Sequence, residues 1–238
     1  MPVENDELQS VVGIIGGLGP LAGALFYRRL IELTPAQADE GHLNVILRSD
    51  PTIPSRIEHL MGSGPSPVPA LIRVARGLVD AGATLLVIPS STTHAYYDVL
   101  QESIERPILN LPKEIAAYMR NQGHVRIGML VTEATIQARV YHGFSREKLV
   151  PIFGSDVVRG RLNNVIAAVK AGGDLKQASE TLRELVVDPC WEECDSLVLG
   201  CTELAALDPV SAPVPIVSAD DVLALSVLRS IGRTHLGS

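Results

Sequence analysis

Short runs of apolar residues alternate along this chain with longer segments in which apolar residues recur every three or four positions. Runs of the first kind are typical of strands buried in a parallel sheet, and segments of the second kind are typical of helices that cover such a sheet. The pattern therefore predicts an α/β protein with mainly parallel sheets. The predicted strands are 11–17, 43–47, 84–88, 107–110, 125–131, 196–200 and 214–217, and the predicted helices are 21–34, 68–82, 92–104, 112–121, 136–147, 157–171, 174–188 and 219–231.

The alternation restarts near the middle of the chain, which predicts a duplicated α/β protein. The strand predicted at 125–131 is similar in sequence to the first strand, and two strand-to-helix turns are built alike. One turn carries Ser90 after strand 84–88, and the other carries Cys201 after strand 196–200. If the two halves face each other, Ser90 and Cys201 look into one cleft from opposite sides.

Candidate chemistry collects at the carboxyl ends of the predicted strands, where ligands of parallel sheets bind. We expect Ser90, Thr132 and Cys201 at this edge. Thr202 and Glu203 follow the cysteine as a capping hydroxyl and an acid, a pattern that predicts a helix start. A thiol at the positive end of a helix has a lowered pKa, so Cys201 is predicted to be a reactive thiolate. The alternative is a small buried cysteine at the end of a strand.

The composition limits the kinds of partner. The net charge is −7 and only 4% of the residues are aromatic, which argues against nucleic acid and against an anionic membrane surface. No apolar run reaches the roughly 18 residues that a membrane span needs. The acidic start, residues 1–10, lacks the profile of a signal peptide, so we expect a cytoplasmic protein. A small anionic substrate would be held by a few local donors.

No cofactor or metal is predicted. The glycine-rich turn at 16–20 resembles a dinucleotide loop, but Ala22 stands where the third glycine belongs and Pro20 removes an N–H group. We interpret the turn as one that brings backbone N–H groups, Gly17 among them, to the cleft. Cys190 and Cys194 are one helical turn apart, yet no histidine lies near them in the sequence, so zinc is not expected.

Two further side chains are placed by their local sequence. Arg56 ends a proline-rich stretch, 51–56, whose restricted backbone would hold the guanidinium in a fixed place. The alternative for Arg56 is a solvated position on a surface connector. His94 follows Ser90 by four residues and could reach back over the turn, while a satisfied structural histidine is the alternative.

Together these segments resemble a known family. Residues 89–94 (Pro-Ser-Ser-Thr-Thr-His) and 200–203 (Gly-Cys-Thr-Glu) resemble the Pro-Cys-Asn-Thr-Ala-His and Gly-Cys-Thr-Glu motifs of the cofactor-independent aspartate/glutamate racemases. The opening, 13–20, is similar to the aspartate racemase branch. The resemblance implies two similar doubly wound parallel-sheet domains related by a pseudo-twofold axis, with a cleft between them. We place the first domain at 1–112 plus 216–238 and the second at 113–215.

The resemblance also implies a reaction and a site. In this family two cysteines flank the carbon alpha to a carboxylate; one removes its proton and the other returns one from the opposite face, without pyridoxal phosphate or metal. The resemblance further implies a homodimer. The predicted catalytic residues are Cys201, Ser90 and His94, and the predicted substrate-binding residues are Arg56, Ser91, Thr92, Thr132, Thr135, Thr202, Glu203 and Gly17.

The sequence departs from the family where the chemistry lies, because Ser90 replaces the first cysteine and Ser91 replaces the asparagine. A hydroxyl is a much weaker base than a thiol unless it is activated. Three hypotheses follow. The first is an asymmetric racemase of aspartate or glutamate, with Cys201 as base and Ser90 on the opposite face. The second is a single-thiol decarboxylase or isomerase of a small dicarboxylic acid. The third is a ligand-binding homologue or a catalytically impaired variant.

Overall fold

The computed structural model describes residues 10–233 of the chain. Its strands are β1 (Val11–Gly16), β2 (Asn44–Ser49), β3 (Leu85–Val87), β4 (Arg126–Leu130), β5 (Val150–Ile152), β6 (Ser196–Leu199) and β7 (Ile216–Ser218). Its α-helices are α1 (Pro20–Leu33), α2 (Arg56–Leu60), α3 (Val68–Asp80), α4 (Tyr97–Ser103), α5 (Leu111–Asn121), α6 (Glu133–Gln137), α7 (Asp156–Lys170), α8 (Leu175–Leu185) and α9 (Ala219–Ser230). Short 3-10 segments lie at Asp39–Gly41, Thr92–Tyr96, His142–Glu147, Pro189–Trp191 and Thr202–Ala206.

The strands form two parallel sheets with the same order. The first sheet runs β2-β1-β3, and the second runs β5-β4-β6-β7. A parallel bridge between Leu86 and Ile108 takes the place next to β3 that β7 takes next to β6. This repetition confirms the predicted α/β fold class and is consistent with the pseudo-twofold arrangement.

One apolar core is shared by the two sheets. Successive strand residues point to opposite faces, so Ile14 and Met129 enter this shared core while Ile15 and Leu130 point outward. The helices α1, α5 and α9 contribute to the shared core, and α9 contacts both α1 and α5. The outer faces are covered by α3 and α4 on the first sheet and by α7 and α8 on the second. The strands that lead to the site are therefore packed on both faces by buried apolar side chains.

Several predicted elements are wrong in detail. The helix predicted at 136–147 is interrupted, because α6 ends at Gln137 and Arg139 has a left-handed backbone with φ of 54°. The strand predicted at 107–110 is reduced to the single bridge at Ile108. Strand β5 was not predicted, and its proline at position 151 explains why its sequence does not look like a strand.

The predicted division into domains meets one local disagreement. Residues 216–218 were assigned to the first domain, but they form β7 and pair with β6 of the second sheet. Helix α9, which follows at once, packs on α1 of the first half. The division itself stays a prediction, and its segments 1–9 and 234–238, with most of the predicted acidic leader, lie outside the described residues. Within residues 10–233, every helix is too short or too polar to cross a membrane.

Candidate active site

A narrow pocket lies where the two halves meet. Turns that follow β3, β4 and β6 contribute to its wall, so residues from both sheets face the same space. The pocket includes most of the predicted site. It is lined by Arg56, Ser90, Ser91, Thr92, Thr132, Thr135, Cys201, Thr202 and Glu203 from that prediction, and by Leu18, Ala22, Ile57, Pro89, Lys170 and Gly200 in addition.

The Ser90 turn and the Cys201 turn are joined by a reciprocal pair of hydrogen bonds. The hydroxyl of Ser91 donates to the Gly200 carbonyl at 2.6 Å, and the hydroxyl of Thr202 donates to the Pro89 carbonyl at 3.1 Å. Each donor directly follows Ser90 or Cys201, and each acceptor directly precedes the other one. These two bonds, which we call the latch bonds, fix the two turns against each other across the halves.

The Cys201 thiol faces a carboxylate. Its Sγ donates to Glu203 Oε2 at 3.0 Å, and the other oxygen of Glu203 lies 3.3 Å from Lys170 Nζ. Burial and the Glu203 charge raise the pKa of Cys201 well above its ordinary value, and Lys170 opposes this rise only in part. The predicted lowering of the thiol pKa is therefore wrong.

The local reason is the segment that follows the thiol. Residues 202–206 form a short 3-10 segment rather than an α-helix, so the positive helix end that was expected to stabilise the thiolate is missing. The predicted capping role of Thr202 is also wrong. Its hydroxyl bonds to Pro89 and to Asp220 Oδ1 instead of to the backbone of its own segment.

Ser90 is held by its neighbours on the same turn. Thr93 donates its hydroxyl proton to Ser90 Oγ at 2.8 Å. His94 reaches back over the turn, as predicted, but its ring contacts backbone: the Leu111 N–H donates to Nε2 at 3.2 Å, which leaves Nδ1 to donate to the Ser90 carbonyl at 2.9 Å. The ring is buried, burial lowers its pKa, and it lies outside the pocket wall. His94 thus positions the Ser90 turn, and neither nitrogen faces the pocket.

Arg56 is the first residue of α2, a helix capped by Ser55, whose hydroxyl accepts from the Glu58 N–H. Its guanidinium donates to the Leu18 carbonyl in the wall of the pocket. The Nε atom is buried and has no partner within the described part of the chain. Burial lowers the pKa of Arg56, and the charge of Glu203 opposes that effect. A buried N–H group without an acceptor indicates that an anionic group belongs here.

Three threonine hydroxyls form a second polar wall. Thr92 Oγ1 lies 2.7 Å from Thr135 Oγ1 and 3.3 Å from Thr132 Oγ1, and the last two lie 2.9 Å apart. Thr132 also caps α6 by accepting the Thr135 N–H. The cluster joins the Ser90 turn to the end of β4, so it belongs to both halves.

Besides His94, Gly17 and Lys170 also differ from the predicted site. Gly17 lies outside the pocket wall; its φ is 87°, and a Cβ there would come within 2.3 Å of the Asp50 carbonyl oxygen, so it permits a close backbone approach. The wall receives its neighbour Leu18 instead. Lys170, which was not among the predicted residues, lines the pocket as the last residue of α7. Nothing in its local sequence distinguishes it from any lysine at the end of a helix.

Fold and pocket together define an α/β protein whose reactive groups come from two facing halves. Residues 15–226 match the family model Asp/Glu/Hydantoin racemase, so the chain belongs to this family. The relatives that it matches are racemases, which are isomerases, and the chain is an enzyme of this type.

Individual relatives agree with the family match over nearly the whole length. The broad specificity amino-acid racemase RacX of Bacillus subtilis is 25% identical over 228 residues, covering 92% of this chain and 97% of that protein. The glutamate racemase of Ectopseudomonas mendocina is also 25% identical, with 97% and 86% covered. The aspartate racemase structure from Picrophilus torridus superposes with a TM-score of 0.83 at 27% identity, covering 95% and 96% of the two chains.

Proposed function

We propose that this enzyme racemises or epimerises an acidic amino acid, aspartate or glutamate, with Cys201 and Ser90 acting on opposite faces of the α-carbon. The observation that carries this proposal is the shared pocket: a thiol and a hydroxyl from facing halves line one narrow space beside the half-buried Arg56, whose buried Nε lacks an acceptor among the described residues.

The charges of the pocket favour an anionic substrate. Arg56 and Lys170 both line it, while the protein as a whole has a net charge of −7. A carboxylate placed at Arg56 would accept the unpaired Nε–H, and guanidinium binds carboxylates in a two-pronged geometry. The threonine cluster offers hydroxyl donors on another side of the pocket. A small dicarboxylic amino acid matches the charge of these lining residues.

Proton removal is assigned to Cys201. In the resting enzyme the thiol is protonated and donates to Glu203. For the reaction, Glu203 takes the thiol proton, and the resulting thiolate removes the α-proton from the face of the substrate turned toward it. The bond from Cα to hydrogen breaks, its electron pair stays on carbon, and Sγ becomes a thiol again. Lys170 and Arg56 stabilise the negative charge that spreads onto the substrate carboxylate.

Proton return is assigned to Ser90. Because its oxygen accepts the Thr93 proton, the hydrogen of Ser90 itself is left to point elsewhere, and no acceptor for it is found among residues 10–233. That proton, or one from a water held by Ser90, adds to the opposite face of the carbanion. The serine oxygen then recovers a proton from water, and Glu203 gives the proton that it took from the thiol to the hydroxide that remains, which restores the resting state. Ser90 has no carboxylate partner like Glu203, so it is a poorer base than Cys201, and the two enantiomers should react at unequal rates.

The test is solvent exchange in heavy water. L- and D-aspartate and L- and D-glutamate are incubated with the enzyme, while loss of the α-proton signal and change of chirality are followed separately. We expect exchange with inversion for at least one pair, and unequal rates for its two enantiomers. Cys201→Ala should abolish exchange of both enantiomers. Turnover at the wild-type rate in this variant would overturn the mechanism.

Variants at Ser90 provide the matched test of the opposite face. Ser90→Ala should keep exchange of the enantiomer whose α-proton faces Cys201, now mostly with retention of configuration. Ser90→Cys should speed the slower enantiomer, because a thiolate is a stronger base than serine under these conditions. If the ratio of the two rates is the same in all three proteins, Ser90 does not face the substrate.

A second candidate is supported by the protonation state of the thiol. Because the pKa of Cys201 is raised, the resting thiol is suited to give a proton rather than take one. A malonate-type acid would lose its carboxylate as carbon dioxide, and Cys201 would protonate the enediolate that remains. Release of carbon dioxide from such acids, without exchange of any of the four amino acids, would favour this function. The predicted homodimer and cytoplasmic location remain predictions under either function.

A further inference from the structure

The hydroxyl of Thr202 has more acceptors than it has protons. It lies 3.1 Å from the Pro89 carbonyl oxygen and 3.1 Å from Asp220 Oδ1. Asp220 belongs to the first turn of α9 and is 4% exposed. A hydroxyl donates one hydrogen bond only. If Asp220 is ionised, it competes with Pro89 for the Thr202 proton, and one of the two latch bonds is weakened.

The hydroxyl of Ser91, which makes the other latch bond, also has two oxygen atoms within hydrogen-bond distance, but one of them can donate. The Ser91 hydroxyl lies 2.8 Å from the Tyr141 hydroxyl and 2.6 Å from the Gly200 carbonyl. Since Gly200 can only accept, Ser91 donates to it and Tyr141 donates to Ser91. Tyr141 is fully buried and its pKa is raised by burial, so it stays a neutral donor. At the equivalent place in the second turn, the chain has an acid instead of a tyrosine.

We propose that Asp220 is a positioning residue that acts in its protonated form, donating to Thr202 Oγ1 so that the Thr202 proton is left for the Pro89 carbonyl. In this state the two latch bonds are equivalent, because each donating hydroxyl itself accepts a hydrogen bond from a buried group: Ser91 from Tyr141, and Thr202 from Asp220. When Asp220 loses its proton, its carboxylate competes with the Pro89 carbonyl for the Thr202 hydroxyl proton. The Cys201 turn is then held less firmly against the Ser90 turn. Asp220 acts through Thr202 and does not itself line the pocket.

The charges around Asp220 are consistent with a retained proton. Arg29 on α1 is the nearby cation, but its Nε and Nη2 donate to Asp221, at 2.6 and 2.9 Å, rather than to Asp220. On the side of the Cys201 turn, the Cys201 thiol is neutral and the Glu203 carboxylate disfavours a second negative charge, as Asp221 does from the same helix. Tyr141 also faces the carboxyl and stays neutral.

Burial is the largest cause of the shift and, with these charges, raises the pKa of Asp220 to about 7. The carboxyl therefore titrates near neutrality rather than in acid. The proposed function supplies the kinetic consequence: the exchange rate should fall as pH rises through the Asp220 titration, in the direction opposite to the gain expected from ionising Cys201.

The first experiment compares Asp220→Asn with Asp220→Ala across a pH series of the exchange reaction. An asparagine amide donates to Thr202 at every pH, so the falling limb should be absent in Asp220→Asn. Alanine removes the donor, so its rate should lie below that of Asp220→Asn by about threefold to tenfold, the value of one hydrogen bond. Equal rates in the two variants at every pH, or a falling limb that survives in both, would overturn the proposal.

Tyr141→Phe is the matched control, because it removes the donor behind the other latch bond without removing a titrating group. It should lower the rate by a similar factor at all pH values and keep the falling limb. Thr202→Val is a second route to the same test if Asp220→Asn does not fold. This variant should lower the rate and lose the falling limb, since it lacks the hydroxyl through which the protonation state of Asp220 affects the latch bond.

A measurement without substrate separates this inference from the proposed function. Because the pKa of Asp220 is raised on folding from an ordinary 3.8 to about 7, the folded state holds the extra proton between these values. The stability from this proton is complete below the unfolded value and is lost as pH rises to about 7. The urea midpoint of the wild type should therefore fall over this window more steeply than that of Asp220→Asn. Parallel curves would overturn the inference, whereas absence of exchange in the wild type overturns only the proposed function.

Discussion

The carboxylate beside the thiol gives the sharpest electrostatic prediction. In Glu203→Gln the side chain keeps its size and a hydrogen-bond acceptor but loses its charge. The negative charge that now lies 3.0 Å from Cys201 Sγ is removed. Lys170, which lies 3.3 Å from the other carboxylate oxygen, is released from its partner, and its positive charge favours the thiolate. Both changes act in the same direction, so the pKa of Cys201 should fall.

The distance sets the size of the effect. Two unit charges 3.0 Å apart interact by ~1.4 kcal/mol in bulk water and by ~5.5 kcal/mol at an effective dielectric constant of about 20. One pKa unit corresponds to about 1.36 kcal/mol. The thiol pKa should therefore fall by roughly one to four units in Glu203→Gln.

The assay is the rate of alkylation of Cys201 as a function of pH, read from the peptide that carries it by mass spectrometry. This readout separates Cys201 from the half-buried Cys190 and the buried Cys194. Glu105→Gln, a change of the same type at an exposed position, is the control and should leave the midpoint unchanged. A midpoint in Glu203→Gln that stays in place or rises would refute the account of how the thiol is held protonated.

Two further predictions concern the frame of the site. Gly200→Ala should lower the free energy of unfolding in urea by about 1–3 kcal/mol, because the added Cβ would lie 2.4 Å from Val131 Cγ1. The control is Gly160→Ala in α7, where the added Cβ meets nothing within 4 Å, so this variant should be neutral or stabilising. Equal stability of the two variants would contradict this prediction. His94→Phe should cost about 2 kcal/mol or more, since the Ser90 carbonyl and the Leu111 N–H lose their partner, and should lower the exchange rate without changing its pH dependence. A pH profile altered by His94→Phe would mean that the histidine takes part in proton transfer.

The overall arrangement could be predicted because it follows from patterns of short range. Strands such as β1 and β6 are continuous apolar runs, and the strand–helix alternation requires parallel pairing. The carboxyl ends of parallel strands then define the site without any knowledge of side-chain contacts. For that reason Ser90, Thr132 and Cys201 were expected at one edge, and all three line the pocket.

What could not be predicted depends on contacts between residues that are distant in sequence. The residues next to Cys201 favour a reactive thiolate, whereas the sign of its pKa shift is decided by burial and by the charge and hydrogen bond of Glu203. The hydroxyls of Ser91 and Thr202 were assigned to substrate and to a helix cap, and each bonds instead to the opposite half. Lys170 reaches the pocket only because α7 packs against the segment that follows Cys201.

The Ser90 turn and the Cys201 turn are joined by the same kind of latch bond but differ in the acid–base groups beside their reactive side chains. This difference extends beyond the replacement of cysteine by serine. Cys201 has Glu203 to take its proton and Lys170 to stabilise the charge. Ser90 has a threonine that donates to it and a histidine that binds its carbonyl, neither of which can take a proton from its side chain in this arrangement. A thiol introduced by Ser90→Cys would therefore lack an acceptor. Its gain on the slower enantiomer should stop short of equal rates, because the asymmetry lies in the surroundings of both residues and not in the nucleophile alone.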